Sequence, residues 1–239
     1  MRRATDRGRL PVWLFDLDNT LHDASHAALR GVNEGMSGYI VEHLGLSQAQ
    51  AEDLRREYWL RYGATMLGLV RHHGVDGRHF LRETHRLPGL EERVRTHPHD
   101  VAALRRLPGR KFILTNAPRE YAERVLGALG IADCFHGVLA IEDMRMFGHW
   151  RPKPDARMLR AVAAALRVPP SACVLVEDTL EHQKAARRVG MRTVWMQRWT
   201  RRATWGLSAS TRVHRRPVYV DLNIRALPAL RRAALCATK

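Results

Sequence analysis

The segment Trp13–His22, WLFDLDNTLH, constrains the fold more than any other part of this 239-residue chain, because an apolar run leads directly into two carboxylates. Val12–Phe15 has the composition of a strand that is buried on both faces, as in parallel sheets. In an extended segment the side chains of Asp16 and Asp18 point to the same side. Carboxylates this close repel each other unless a cation or a proton intervenes. The alternative is an ordinary acidic turn, and the ends of the other strands decide between the two.

Short apolar runs recur along the chain with helical segments between them. We predict strands at Val12–Phe15, Lys111–Leu114, Gly137–Ile141, Cys173–Val176, Arg192–Met196 and Val218–Val220. From about residue 110 onward, strands and helices alternate, which predicts a parallel sheet with helices on both faces. The expected fold class is therefore α/β, with a Rossmann-like core of three α/β/α layers.

A long stretch without a good strand separates the first two predicted strands. Its apolar spacing predicts four helices, Ala24–Leu44, Gln48–Tyr62, Ala64–His73 and Arg78–Arg86. A crossover between parallel strands needs only a dozen or so residues. We therefore expect an inserted α-helical cap at residues 23–99, a core built from 10–22 and 100–230, and flexible termini at 1–9 and 231–239. We expect the Arg- and Ser-rich stretch from about residue 199 to 216 to form a surface loop.

Polar side chains follow each of the next predicted strands. Thr115 and Asn116 stand at a helix start, where backbone amides bind phosphate, and Lys153 lies in a loop stiffened by a proline on each side. Glu177 and Asp178 end the fourth strand. In a parallel sheet these ends share one edge, where ligands of open α/β folds bind. For single residues, a polar helix cap and a surface lysine are the ordinary alternatives. The joint occurrence of all these polar residues at one edge of the sheet predicts a Mg²⁺ and phosphate site.

The chain resembles the haloacid dehalogenase superfamily. The resemblance lies in four motifs that occur in order, FDLDNT at Phe15–Thr20, then Thr115, Lys153, and VEDT at Val176–Thr179. It extends over roughly residues 12–225 and implies that the helical insert is a cap of the C1 type.

This resemblance implies a two-step phosphoryl transfer. Asp16 would be the nucleophile that forms an aspartyl-phosphate, and Asp18 would be the general acid and base. Mg²⁺ would be held by the side chains of Asp16 and Asp178 and by the backbone carbonyl of Asp18. Glu177 would orient metal-bound water.

The remaining motif residues would bind the phosphoryl group. By resemblance, Thr115 and the amide of Asn116 contact its oxygens, and Lys153 offsets its charge together with that of Asp16. A dehalogenase would need neither a second acid nor a metal, so Asp18 favours a phosphatase. One departure is His182, which stands where many relatives have Asn or Asp.

Further segments resemble the pyrimidine 5′-nucleotidase branch, which hydrolyses nucleoside monophosphates such as UMP and CMP. They are DLDNTLH, YWLRYGAT at residues 58–65, Gly68-Leu69 and IEDM at 141–144. The resemblance implies substrate contacts from His22, Tyr58 and Tyr62, and Tyr58, Tyr62 or Trp59 could stack on a base. Packing inside the cap is the alternative for these aromatic residues. A phosphatase for phosphoglycolate or a sugar phosphate is the other enzyme that the motifs allow.

Composition limits the remaining classes of function. A hydrophobic content of 45% fits a folded chain, and no apolar stretch is long enough for a transmembrane segment or a signal peptide. Three widely spaced cysteines predict a reducing cytoplasm. The net charge of +16 comes from four lysines and thirty-six dispersed arginines. A nucleic-acid-binding module on this fold is therefore the minor alternative, and a small anionic phosphate ester is the expected partner.

Overall fold

The computed structural model describes residues 10–199 and 216–231. The predicted terminus 1–9, nearly all of the predicted terminus 231–239 and nearly all of the predicted loop from 199 to 216 lie outside these residues.

The described strands are β1 Val12–Phe15, β2 Arg110–Leu114, β3 Val138–Leu139, β4 Arg145–Met146, β5 His149–Trp150, β6 Cys173–Glu177, β7 Arg192–Met196 and β8 Leu222–Ile224. Six of these eight strands form one parallel sheet in the order β3-β2-β1-β6-β7-β8, which confirms the predicted fold class. The antiparallel hairpin β4–β5 was not predicted. The last strand was predicted at Val218–Val220, which is wrong, because Val220 N–H donates back to Pro217 O in a turn.

Ten α-helices are present in the described residues. They are α1 Ala24–Ala27, α2 Leu29–Leu44, α3 Gln48–Tyr62, α4 Thr65–His73, α5 Gly77–Thr84, α6 Leu90–Arg93, α7 Pro98–Arg106, α8 Arg119–Ala128, α9 Ala156–Ala165 and α10 Leu180–Arg188. The predicted helix Ala24–Leu44 is broken at Ala28, where φ is −136°. None of the described helices has the length and apolar character needed to cross a membrane.

Alternating side chains of β1 build two hydrophobic layers, one on each face of the sheet. Trp13 and Phe15 pack into a cluster with α7 and α8. Val12 and Leu14 pack on the opposite face with α9 and α10. This alternation is what a strand buried on both faces requires, and it places β1 at the centre of three layers.

Helices α2 to α5, which we call the helical insert, surround a third hydrophobic cluster that includes Ile40, Leu69 and Phe80. The core residue Ile141 belongs to the same cluster. A Cβ on Gly63, between α3 and α4, would lie 3.4 Å from Pro154 Cδ. The insert is therefore packed against the loop that carries Lys153.

Candidate active site

The carboxyl ends of β1, β2 and β6 lie at one level. Phe15 is in register with Ile113 of β2 and with Val176 of β6. Asp16 continues the pairing, since its N–H donates to Val176 O at 2.9 Å. The parallel register therefore brings the residues that follow each strand to one edge of the sheet.

Lys153 lies at the centre of this edge and is 1% exposed. Its Nζ donates to Asp16 Oδ1 at 2.6 Å and to Glu177 Oε2 at 2.7 Å. Burial alone would lower the pKa of Lys153, but attraction by the two carboxylates outweighs it and raises the pKa. A buried ammonium is stable only with such partners, so the lysine stays charged where a phosphate would bring more negative charge.

The side chain of Asn116 fixes the backbone of this lysine. Asn116 Nδ2 donates to Lys153 O at 3.0 Å, and Asn116 Oδ1 accepts from Lys153 N–H at 2.9 Å. Thr115 Oγ1 accepts from Ala117 N–H at 3.0 Å, and among the described residues its hydroxyl group donates no hydrogen bond. Asn116 therefore lies beside Lys153, a structural contact that the sequence did not indicate.

Three carboxylates form a possible cation site. Oxygens of Asp16, Glu177 and Asp178 all lie within 4.8 Å of one another. Both oxygens of Glu177 already accept hydrogen bonds, Oε2 from Lys153 and Oε1 from Thr179 N–H at 3.2 Å. Asp16 and Asp178 are therefore better placed to coordinate a metal, and Mg²⁺ prefers such oxygen ligands.

The electrostatics of the three carboxylates also fit a cation. Burial, and next the charge of Glu177, raise the pKa of Asp16 from 3.8 to about 6. The same two causes raise the pKa of Asp178 well above its ordinary value. Burial opposes ionisation of Glu177 as well, but Lys153 and His182 outweigh it and lower the pKa of Glu177. Repulsion between Asp16 and Asp178 disappears when a divalent cation lies between them.

Asp18 is held by two side chains that converge on one oxygen. Tyr121 Oη donates to Asp18 Oδ1 at 2.7 Å, and His22 Nε2 lies 3.0 Å from the same atom. Burial would raise the pKa of Asp18, but these contacts outweigh it and hold the pKa below its ordinary value. Tyr121 lies 103 residues away from Asp18 in the chain, so no local pattern could have indicated it.

The proposed substrate contacts do not all lie at an accessible surface. His22 is 0% exposed, so it contacts Asp18 rather than an open cleft. Tyr58 is 6% exposed and shares a hydrogen bond with His73, which is the packing alternative inside the insert. Tyr62 is half-buried next to Gly63, and its hydroxyl lies 2.5 Å from His72 Nε2. Of these three, Tyr62 alone has part of its surface accessible.

His182, the departure from the usual pattern, lies at the edge of the carboxylate cluster. Its Nδ1 is 3.1 Å from Glu177 Oε2, the oxygen that also accepts from Lys153. His182 therefore adds a second contact, beside that of Lys153, to the same oxygen of Glu177.

The chain belongs to the haloacid dehalogenase-like hydrolases, since the model of that family matches residues 12–190. Among curated proteins, it is 28% identical over 138 residues to Phosphate metabolism protein 8 of Saccharomyces cerevisiae. That match covers 53% of this chain and 42% of the yeast protein. The chain thus matches less than half the length of this curated relative.

Solved structures of different enzymes share the fold. A HAD phosphatase from Thermococcus onnurineus superposes with a TM-score of 0.60 at 21% identity, covering 94% of this chain and 97% of the other. L-2-haloacid dehalogenase from Xanthobacter autotrophicus superposes with a TM-score of 0.55 at 18% identity, covering 95% and 98%. Because one fold carries both reactions, the residues of the site have to decide between them.

Proposed function

We propose that this protein is a Mg²⁺-dependent phosphomonoester hydrolase that acts through an aspartyl-phosphate on Asp16. The observation that supports this most is the second carboxylate, Asp18, held by Tyr121 and His22 at the same sheet edge. A halide leaves without a proton, so a dehalogenase has no use for this acid. An alkoxide leaving group does need a proton, which a positioned carboxylic acid supplies.

In the proposed first step, an oxygen of Asp16 forms a bond to phosphorus. The negative charge of the bound phosphate ester would raise the pKa of Asp18 from its lowered value, so that Asp18 carries a proton when the ester is bound. The bond from phosphorus to the ester oxygen breaks, and that oxygen keeps the electron pair and takes the proton of Asp18. In the second step, Asp18 takes a proton from water, the water oxygen bonds to phosphorus, and the bond to Asp16 breaks. Phosphate leaves, and both aspartates return to their initial state.

The neighbouring groups would stabilise the charge of the transferred phosphoryl group. Thr115 and the backbone amide of Asn116 would donate to its oxygens, and Lys153 would offset the charge. Mg²⁺, held by the side chains of Asp16 and Asp178 and the backbone carbonyl of Asp18, would supply further neutralisation of charge. Glu177 would orient water in the coordination shell of the metal.

For the substrate, we propose pyrimidine nucleoside monophosphates such as UMP and CMP. The proposal draws on the resemblance to the pyrimidine 5′-nucleotidase branch, and the name of the yeast relative refers to phosphate metabolism. We further propose that residues 23–99 serve as a C1-type cap. Tyr62 would contribute to base binding, because it directly precedes Gly63, which packs beside Pro154.

A second candidate is a phosphatase for phosphoglycolate or a sugar phosphate. The burial of Tyr58 favours it, because one of the two tyrosines considered for base stacking is inside the insert. The site chemistry would be the same in both cases. We also propose a cytoplasmic location, since Cys134 and Cys173 are free thiols, as expected in a reducing compartment.

The test is phosphate release from UMP, CMP, AMP, phosphoglycolate and glucose phosphates, with Mg²⁺ and with EDTA. We expect release that requires Mg²⁺, is fastest on the pyrimidine nucleotides, and is lost in Asp16→Asn, which keeps the shape but removes the nucleophilic charge. Faster release from phosphoglycolate or a sugar phosphate would keep the reaction and replace the substrate. Absence of metal-dependent release from every ester would contradict the proposed function.

A further inference from the structure

Tyr121 is a buried residue whose hydroxyl group contacts Asp18. It lies on α8, is 2% exposed, and donates to Asp18 Oδ1 at 2.7 Å. Its ring meets the ring of His85 edge to face, with centroids 5.6 Å apart. His85 directly follows α5, so Tyr121 is held between the helical insert and the loop after β1. Burial lowers the pKa of His85 to about 4, and its Nδ1 lies 2.9 Å from Leu81 O.

Both contacts to Asp18 involve the same oxygen. His22 Nε2 lies 3.0 Å from Oδ1, which also accepts from Tyr121. Across the described ranges 10–199 and 216–231, no residue donates a hydrogen bond to Oδ2 of Asp18. The side chain of Asp18 is 26% exposed. One oxygen of the carboxyl group is therefore fixed by two contacts, and the other accepts no hydrogen bond from the described residues.

We propose that Tyr121 is a positioning residue for the proton transfers of Asp18, an inference that rests on the proposed function. By holding Oδ1, Tyr121 limits rotation of the carboxyl group and directs Oδ2 toward the leaving oxygen. His22 holds the same oxygen from the other side. Neither side chain contacts the substrate in this proposal, and each acts through Asp18.

The proposal fits the change of charge during the reaction. When the O–H bond at Oδ2 breaks, the proton passes to the leaving oxygen, and its bonding pair stays on Asp18 as a carboxylate. The hydrogen bond from Tyr121 to Oδ1 then becomes charge-assisted and stronger. When Oδ2 later takes a proton from water, the carboxyl group returns to its neutral form. Tyr121 thus stabilises the carboxylate between the two steps.

The contribution of a correctly positioned Asp18 to the reaction rate depends on the leaving group. An alkyl alcohol is a poor leaving group and needs the proton as the bond to phosphorus breaks, whereas nitrophenolate is stable without it. General acid catalysis contributes about 10²–10⁴-fold. Misalignment of the acid should remove part of this factor for alkyl esters and little of it for nitrophenyl phosphate.

The test is Tyr121→Phe, which removes only the hydroxyl group, compared on a nucleoside 5′-monophosphate and on p-nitrophenyl phosphate. We expect kcat for the nucleotide to fall about 10- to 100-fold, with a much smaller fall for the nitrophenyl ester and little change in either KM. Tyr39→Phe is the matched control, because Tyr39 is a buried tyrosine whose hydroxyl bonds His79 at 2.9 Å inside the insert. This control should leave the ratio of the two rates at the wild-type value.

Equal falls on both esters, or no fall on either, would overturn the positioning role while wild-type activity still supported the proposed function. Wild-type protein without metal-dependent release from any ester would instead overturn the proposed function and this inference with it. Circular dichroism and thermal unfolding check the fold of each variant. If Tyr121→Phe does not fold, His22→Asn disturbs the second contact to Oδ1, and the same selective loss on the nucleotide is expected.

Discussion

At the scale of single residues, the buried ammonium of Lys153 depends on its two carboxylate partners. Removing one member of a buried ion pair leaves the others without compensation and costs about 3–5 kcal/mol. Lys153→Met should therefore lower the free energy of unfolding of the metal-free protein by about this amount. The reason is that the buried carboxylates of Asp16 and Glu177 lose the positive charge that compensates both of them. Urea denaturation followed by circular dichroism measures it.

Lys111→Met is the matched control for this prediction. Lys111 is 7% exposed, and its Nζ donates to Leu107 O at 2.8 Å. Loss of one hydrogen bond between a charged donor and a neutral carbonyl costs about 1.5–3 kcal/mol, less than the loss of a buried ion pair. Equal losses in the two variants would mean that the carboxylates around Lys153 add nothing to the stability of the fold.

The sequence predicted the residues at the strand ends because those residues follow apolar runs directly. A parallel sheet then fixes the edge they share, without any knowledge of distant contacts. The contacts of Tyr121 with Asp18 and of Asn116 with Lys153 join residues 103 and 37 positions apart. They depend on the way helices and loops pack, so no spacing in the chain indicates them.

At the scale of elements, close packing of α3 on α4 depends on a glycine. A Cβ on Gly68 would lie 2.2 Å from Cγ of Tyr58. Gly68→Ala should therefore destabilise the protein by about 1–3 kcal/mol, the usual cost of overpacking. In the described part of the chain, a Cβ on Gly38 in α2 would meet no atom within 4 Å apart from its chain neighbours and the backbone of its own helix. Gly38→Ala should instead stabilise by about 0.5–1 kcal/mol, because alanine is the better helix former.

Thermal and urea unfolding of the two alanine variants measure this difference in sign. A stabilising effect of Gly68→Ala would show that the α3–α4 contact is looser than the structure indicates.

Elements with strong patterns were predicted well, and short elements were not. The prediction of Gln48–Tyr62 is confirmed by α3, whose start is fixed by a capping box at Ser47. The hairpin β4–β5 and the strand β8 have two or three residues each. Elements this short carry too few alternating side chains for a period to be recognised. Pairing with neighbouring strands decides them.

At the scale of the whole molecule, the net charge of +16 is spread over many elements. The described ion pairs lie on separate parts of the chain, for example Arg30 with Glu34, Arg124 with Glu91, and Arg187 with Asp221. Such a distribution produces a general positive potential around the molecule. A general potential attracts small anions from solution and raises their rate of encounter.

The dependence of catalysis on salt should therefore reveal this potential. The Debye length falls from about 30 Å at 0.01 M salt to about 8 Å at 0.15 M. We expect kcat/KM for a dianionic phosphate ester to fall several-fold over this range while kcat changes little, because screening acts on encounter and leaves the buried Lys153 site unaffected. Sucrose at matched osmolarity is the control and should leave both constants unchanged. A flat kcat/KM would show that the arginines do not steer the substrate. Tight, salt-sensitive binding of RNA to a protein without phosphatase activity would favour the nucleic-acid alternative instead.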